Sequence, residues 1–342
     1  MSKLNESIQA QIKQNWDSIA KPLDSMGKFE ALIAKIGAVQ NSVYPTLAKP
    51  AVVVLCSDNG IVEEGVSQSG QEVTATCAQN IALGKSSVGV MAAGLGADVF
   101  TVDLGIASKE KIDKVIDKKI REGTRNFLKA PAMTEAELNK ALEIGSDLAR
   151  SLKNSGYDVI CIGEMGIGNT TTCAAVAASV LGLPADSCTG RGAGLSDAGF
   201  KRKKQVINAA IHKYGLYTAD VKKILQCVGG YDIAGMAGVF IGAKVCGIPV
   251  ILDGIVSVVA ALVCTRLYAG IEDVLIPSHK SREPVVQRVF EELKLLPVIE
   301  ADMALGEGSG AVMMLGLLRS ALCVYDKALR FGDSGVEQYT RK

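Results

Sequence analysis

Three short stretches hold residue types that could do chemistry. The first is LGEGSGA, residues 305–311, where a carboxylate, Glu307, stands between two glycines just before the apolar run 311–318. Flanking glycines remove bulk, so a flat ligand can come close. Apolar Met303, Leu305 and Val312 would desolvate the carboxylate and raise its pKa, as a general base requires. The same residues also suit a helix-leading Glu that complements the helix dipole, with Ser309 as cap. The second stretch is GEMGIGNTTT, 163–172, between the strand-like YDVICI and the helix-like TTCAAVAASVLG. A glycine-rich loop between a strand and a helix N-terminus presents free N–H groups and a positive dipole end to an anion, and threonine hydroxyls add donors. A tight turn with Thr170 as N-cap fits the same residues equally well. The third is TGRGAGLSDAGFKRKK, 189–204, whose four basic residues follow four glycines. It reads either as a mobile loop that brings a cation to a phosphate or as a solvated helix face.

Known fingerprints are absent from these stretches. Glycines 163, 166 and 168 give GxxGxG, and no Lys follows where a Walker A loop needs one; LGKSS at 83–87 has Gln79 in place of its first Gly. His212 lies near an expected helix C-terminus, while His279 closes a strand-like segment and could touch a ligand. Neither has a nucleophile motif beside it. Nine cysteines are scattered singly, with no CxxC or HExxH, which predicts small core thiols in a reducing compartment and no metal.

The elements that must position these residues follow a repeating pattern. Residues 4–40 read as helices, with DSMGKFEALIAKI as a capped amphipathic one. Strand-like runs follow at KPAVVVLCSDNG (49–60), 97–105, 157–166 and 248–254, with a weaker fifth at 272–279. Helical spacing fills 73–83, 135–153, 171–181 and 254–268 between them. Alternation of this kind predicts a mainly parallel sheet with helices on both faces, and such sheets bind ligands beyond their carboxyl ends. Asp58, Asp103, Glu164 and Asp253 all fall just after an expected strand.

Bulk properties narrow the function classes. The 342 residues are 48% apolar and 21% charged, enough for a large core, and a net charge of +1 offers no field to draw nucleic acid or an anionic membrane. The polar N-terminus lacks a signal core. The uncharged stretch 165–185 carries Asn169, threonines, glycines and Pro184, which argues against a membrane helix. A cytoplasmic protein is expected.

Taken together, KPLDSMGKFE, CSDNGIVEEGVS, GEMGIGNTT, TGRGAGLSDAG, VGGYDIAGMAGVFIGA, PVILDG, IPSHKS and LGEGSGA, in this order along nearly the whole chain, resemble the nicotinate-nucleotide–dimethylbenzimidazole phosphoribosyltransferase family. The resemblance implies an α/β, Rossmann-like fold: a large catalytic domain over 41–300 and a small helical domain from 1–40 and 301–342, usually paired as a dimer. It implies transfer of 5-phosphoribose from nicotinate mononucleotide to an aromatic acceptor, giving an α-ribotide for cobamide synthesis and releasing nicotinate, with no cofactor. On the family pattern Glu307 is the catalytic base. Glu164, Gly166, Asn169, Thr170, Thr171, Gly192 and Lys203 serve the phosphate and ribose, while Ser69 and Cys77 line the acceptor site.

Two departures fall in the acceptor region. Cys77 stands where the family commonly has a Gln that helps hold a benzimidazole nitrogen, and Asn59 stands where it often has His. Some relatives work as paired non-identical subunits and accept phenols, so dimethylbenzimidazole and a phenolic acceptor such as p-cresol both stay open, as do homodimer and heterodimer. A nucleotide-binding subunit without turnover is the alternative, although retention of Glu307, Glu164 and Lys203 argues against it. A nicotinamide-dependent oxidoreductase would need a GxGxxG that the chain lacks.

Overall fold

The computed structural model describes residues 5–341. Six parallel strands form one sheet: β1 (Pro50–Ser57), β2 (Asp98–Gly105), β3 (Ile116–Asp117), β4 (Val159–Met165), β5 (Val250–Ile251) and β6 (Leu275–Ile276), in the order β3-β2-β1-β4-β5-β6. Ala51 of β1 pairs with Asp98 on one side and Ile160 on the other. Strand order therefore runs outward in both directions from the β1/β4 pair. That reversal opens a crevice beyond the carboxyl ends of β1 and β4, the usual place for a ligand in such a sheet.

Both faces of the sheet are covered, which is why β1 is an unbroken apolar run buried along its whole length. Its side chains alternate between two cores. Ala51, Val53 and Leu55 pack under the helices Glu135–Asn154, Asn169–Leu181, Tyr231–Cys246 and Ile255–Leu267. Val52, Val54 and Cys56 pack under Glu6–Asp17, Lys28–Gln40, Glu72–Ala82, Ser87–Gly94 and Ser309–Lys327. The two chain ends meet on this second face. The Trp16 and Tyr325 rings lie 5.1 Å apart, Asn15 Nδ2 donates to the Tyr325 hydroxyl at 2.9 Å, and the Phe331 N–H donates to the Ser18 carbonyl at 2.9 Å. These terminal helices share one apolar core with the sheet face they cover.

The four expected helices sit within two residues of those found. The edges of the sheet differ more. β5 and β6 are two residues each, where 248–254 and 272–279 were expected, and a 3-10 turn takes Ile271–Val274. β3 was not anticipated, because its two residues lie in the charged run KIDKVIDKK. Edge strands this short expose few unpaired backbone groups to a passing strand. The helix Lys28–Gln40 has no side-chain cap at Gly27. Its third residue, Glu30, instead accepts the Met26 N–H at 3.1 Å and the Lys21 ammonium at 2.6 Å. Among the described residues one helix, Ser309–Lys327, is long and apolar enough to cross a membrane, and about half of it is buried against the core.

Candidate active site

The crevice at the β1/β4 reversal is built first by backbone. A side chain added at Gly166 would place Cβ 1.9 Å from the Ser57 carbonyl oxygen, and one at Gly163 would lie 2.4 Å from the Glu307 carbonyl oxygen. The end of β4 is thus pressed between the end of β1 and the turn that carries Glu307. Only glycine permits either contact.

Next come the residues of the loop after β4. The helix begins at Asn169, with Gly168 (φ 91°) in the N-cap position, so Thr170 is not the cap. Its hydroxyl instead accepts from Lys203 Nζ at 2.9 Å. Lys203 alone of the basic run is fully buried; Lys201 and Arg202 are exposed and Lys204 is intermediate. Helical spacing explains this, since the helix Asp197–Tyr214 turns one face inward through Lys203, Val206, Ile207 and Ala210. Burial pulls the Lys203 pKa down, and the nearby Glu283 charge opposes it. Gly192, with φ 54°, crosses over this pair: a Cβ there would sit 2.8 Å from Thr170 Oγ1 and 3.6 Å from Lys203 Nζ. A cleft of about 80 Å³ opens among Gly166, Ile167, Gly168, Asn169, Thr170 and Arg191. Gln68 Nε2, donating to the Gly194 carbonyl, ties the two loops that border it.

Asn169 turns the other way and donates its amide to Glu164 Oε2. The Glu164 carboxyl is enclosed, and its pKa is pushed up to about 8, first by desolvation and then by the charges of Asp232 and Asp253. Asp232, fully buried at the start of the helix Tyr231–Cys246, is raised to about 6 by burial, and its Oδ2 has no hydrogen-bond partner among the described residues. Asp58, at the end of β1, is also raised to about 6 by burial while it accepts from Thr74 Oγ1 at 2.6 Å and the Ala107 N–H at 2.8 Å. Sequence reasoning missed Asp232, whose only signal was its place after the glycine pair in VGGYD. Thr172, also missed, donates to Asn59 Oδ1 at 2.9 Å.

Glu307 faces the opposite side of the crevice. It is a non-glycine residue with φ 62°, between Gly306 (φ 84°) and Gly308 (φ 94°). Gly308 occupies the N-cap position of the helix Ser309–Lys327, so Ser309 is not its cap. Asp253 supplies the missing acceptor: Oδ2 takes the Gly308 N–H at 3.0 Å and Oδ1 the Gly310 N–H at 2.7 Å. Burial raises the Glu307 pKa, Asp253 adds to this, and the Val88 N–H at the start of the helix Ser87–Gly94 works against it. Cys77 lies near enough that the Glu307 charge, after desolvation, raises the thiol's pKa. Gly306 borders Glu164, whose Oε1 would lie 3.1 Å from an added Cβ. Glu307 therefore meets Cys77 and Glu164 in one place.

Ser69 stands exposed on the loop before Glu72–Ala82, its N–H on Ser67 Oγ at 3.3 Å, and no hydrogen bond among the described residues joins it to Glu307 or Cys77. His279 is buried at 3% exposure, with its ring against the Gly310 backbone and Nδ1 3.1 Å from Ser278 Oγ. Thr171 is buried with Oγ1 unpartnered. A larger cleft of about 650 Å³ opens at the sheet edge among Asp103, Lys111, Asp117 and Lys119. Four of its charges are paired, Lys119 with Asp103 and Lys111 with Asp117 at 3.2 Å each, while Lys109, Glu110, Arg121 and Glu122 also line it, and it includes none of the residues of the crevice.

The chain matches the model of a family described as phosphoribosyltransferase over residues 1–336. It is 38% identical over 328 residues to the nicotinate-nucleotide–dimethylbenzimidazole phosphoribosyltransferase of Acetivibrio thermocellus, covering 96% of this chain and 93% of that one. The enzyme of the same name from Clostridium acetobutylicum is 37% identical, with 98% and 96% covered. Among solved structures, CobT from Thermus thermophilus superposes with a TM-score of 0.91 at 34% identity, over 97% of this chain and all of that one.

Proposed function

Since the chain belongs to the nicotinate-nucleotide–dimethylbenzimidazole phosphoribosyltransferase family, we propose that it moves 5-phosphoribose from nicotinate mononucleotide to an aromatic acceptor for a cobamide lower ligand. The observation that carries this reading is the position of Glu307. Its half-buried carboxylate, raised in proton affinity, stands beside Cys77 on one side and Glu164 on the other.

In this reading the phosphate lies at the N-terminus of the helix Asn169–Leu181. The Thr170 N–H, which has no backbone acceptor among the described residues, and the Thr170 hydroxyl border the cleft there, the buried Lys203 ammonium stands behind that hydroxyl, Thr171 follows on the helix, and Gly166 and Gly192 allow close approach. Glu164, neutral near pH 7, donates a hydrogen bond to the ribose while Asn169 holds its other oxygen. The acceptor ring enters between Ser69, Cys77 and Glu307. Glu307 takes the proton from the ring's N–H or O–H, and the freed lone pair attacks C1′ of the ribose. The bond from C1′ to the pyridinium nitrogen breaks, its electrons stay with nitrogen, and nicotinate leaves. Attack opposite the leaving group inverts the anomeric carbon from β to α. The positive ring nitrogen already activates departure, so positioning plus one general base, worth roughly a hundred- to ten-thousand-fold, is what the protein must supply.

Cys77 favours a phenolic acceptor over a benzimidazole, because a thiol is a weak partner for the second ring nitrogen. Exposed Val90, Leu305, Met313 and Leu317, around the start of the helix Ser309–Lys327, support pairing with a second homologous chain. Nine free cysteines fit a reducing, cytoplasmic setting. To test the reading, the purified chain is incubated with nicotinate mononucleotide and a panel of benzimidazoles and phenols, alone and with a homologous subunit. Released nicotinate with an equal amount of ribotide is the expected result. Nucleotide binding without any release under all conditions would instead mark a non-catalytic subunit.

A further inference from the structure

Resting on the assignment of Glu307 as proton acceptor, we infer that Asp253 is the positioning residue that sets the geometry of that base. Residues 306–308 are three consecutive left-handed positions, and the central one is not glycine. A side chain held there is strained and persists only where its surroundings fix it. The helix that follows cannot fix it, since its N-cap position is a glycine with no side chain. Asp253, 2% exposed at the end of β5, does so from another strand by accepting the Gly308 and Gly310 N–H groups with its two oxygens. Asp253 is itself pinned: its N–H donates to Ser257 Oγ at 2.9 Å, and its carbonyl accepts from Ser278 Oγ at 3.3 Å.

The charge of Asp253 has a second effect, on when Glu307 holds its proton. The groups that face Glu307 are Asp253, Glu164 at the end of β4, Cys77 on the helix Glu72–Ala82, and the Val88 N–H. His279, beyond β6, faces Asp253, and burial lowers its pKa. Replacing Asp253 by Asn removes one negative neighbour, so Glu307 should give up its proton at lower pH.

The experiment measures kcat against pH for the wild type, Asp253→Asn, Gly308→Ala and Glu307→Gln. Asp253→Asn should lose about tenfold or more in kcat, since a misplaced base is costly, and its acidic limb should move to lower pH while KM for nicotinate mononucleotide changes little. Unchanged kcat, or a loss with the limb unmoved, overturns the inference. Should Asp253→Asn fail to fold, Gly308→Ala carries the test by straining the same turn, and a kcat near wild type overturns it. Glu307→Gln separates the two levels: near-normal turnover in that variant refutes the base itself, whatever Asp253 does.

Discussion

The two ends of the crevice are made of different material. At the proposed phosphate end the tightest contacts are made by glycines, Gly166 on the Ser57 carbonyl and Gly192 on the Thr170 side chain, beside a helix terminus. At the proposed acceptor end the walls are side chains on a loop and a helix face: exposed Ser69, half-buried Cys77 and the tip of Glu307. A wall of main chain cannot change without disturbing the sheet. A wall of side chains can be altered one residue at a time while the fold stays intact. Of the two positions that depart from the family pattern, Cys77 lies beside Glu307, whereas Asn59 lies against the loop after β4, its Oδ1 accepting from Thr172 at 2.9 Å and its side chain bordering Gly166 and Gly168.

The largest expected effect tests the first half of this contrast. Gly166→Ala would set a Cβ 1.9 Å from the Ser57 carbonyl oxygen, so strands must separate. We expect a loss of about 3 kcal/mol or more in stability, read as a fall in urea midpoint or as insoluble protein; a variant as stable as wild type would show that the strand ends are not closely packed. Lys203→Ala comes next. Losing a charge-assisted contact of roughly 1.5–3 kcal/mol should weaken nicotinate mononucleotide binding about ten- to a hundredfold by calorimetry, whereas Lys201→Ala, on the exposed face, should change it little. Equal effects from both would remove Lys203 from the phosphate site.

Glu164 gives a pH signature. Its carboxyl is protonated below about 8 and ionises as pH rises through that value, placing a new negative charge beside an anionic ligand. Nucleotide affinity should therefore fall on the alkaline side in the wild type and stay flat in Glu164→Gln; parallel profiles would contradict this. The smallest effect is expected at Cys77. Cys77→Gln should shift competition between 5,6-dimethylbenzimidazole and p-cresol toward the benzimidazole, by roughly 1–3 kcal/mol at most, if the second ring nitrogen is otherwise buried unpaired. No shift would make Cys77 a neutral substitution.

What could be read from the sequence divides along similar lines. Central strands and long helices were legible because burial on both faces writes a continuous apolar run and amphipathic spacing repeats every turn. β3 and the two-residue β5 and β6 were not, since two paired residues leave no periodicity to detect. Glu307, Glu164 and Lys203 were legible as chemistry-bearing types in glycine-rich surroundings. The helix starts were not: Thr170 and Ser309 have the chemistry of caps, yet the true N-cap positions are left-handed glycines, and one of the capping acceptors, Asp253, is more than fifty residues away in sequence. Asp232 and the inward turn of His279 depend on tertiary burial, which no local pattern records.

The central claim is that one carboxylate does the proton transfer while a separate site, built around the helix start at Asn169 and Lys203, holds the nucleotide. The direct measurement is Glu307→Gln, assayed for nicotinate release with saturating acceptor and titrated with nicotinate mononucleotide by calorimetry on the same preparation. Turnover should fall roughly a hundredfold or more while nucleotide affinity stays within a few-fold of wild type. Near-normal turnover, or a loss explained entirely by weaker nucleotide binding, would contradict it.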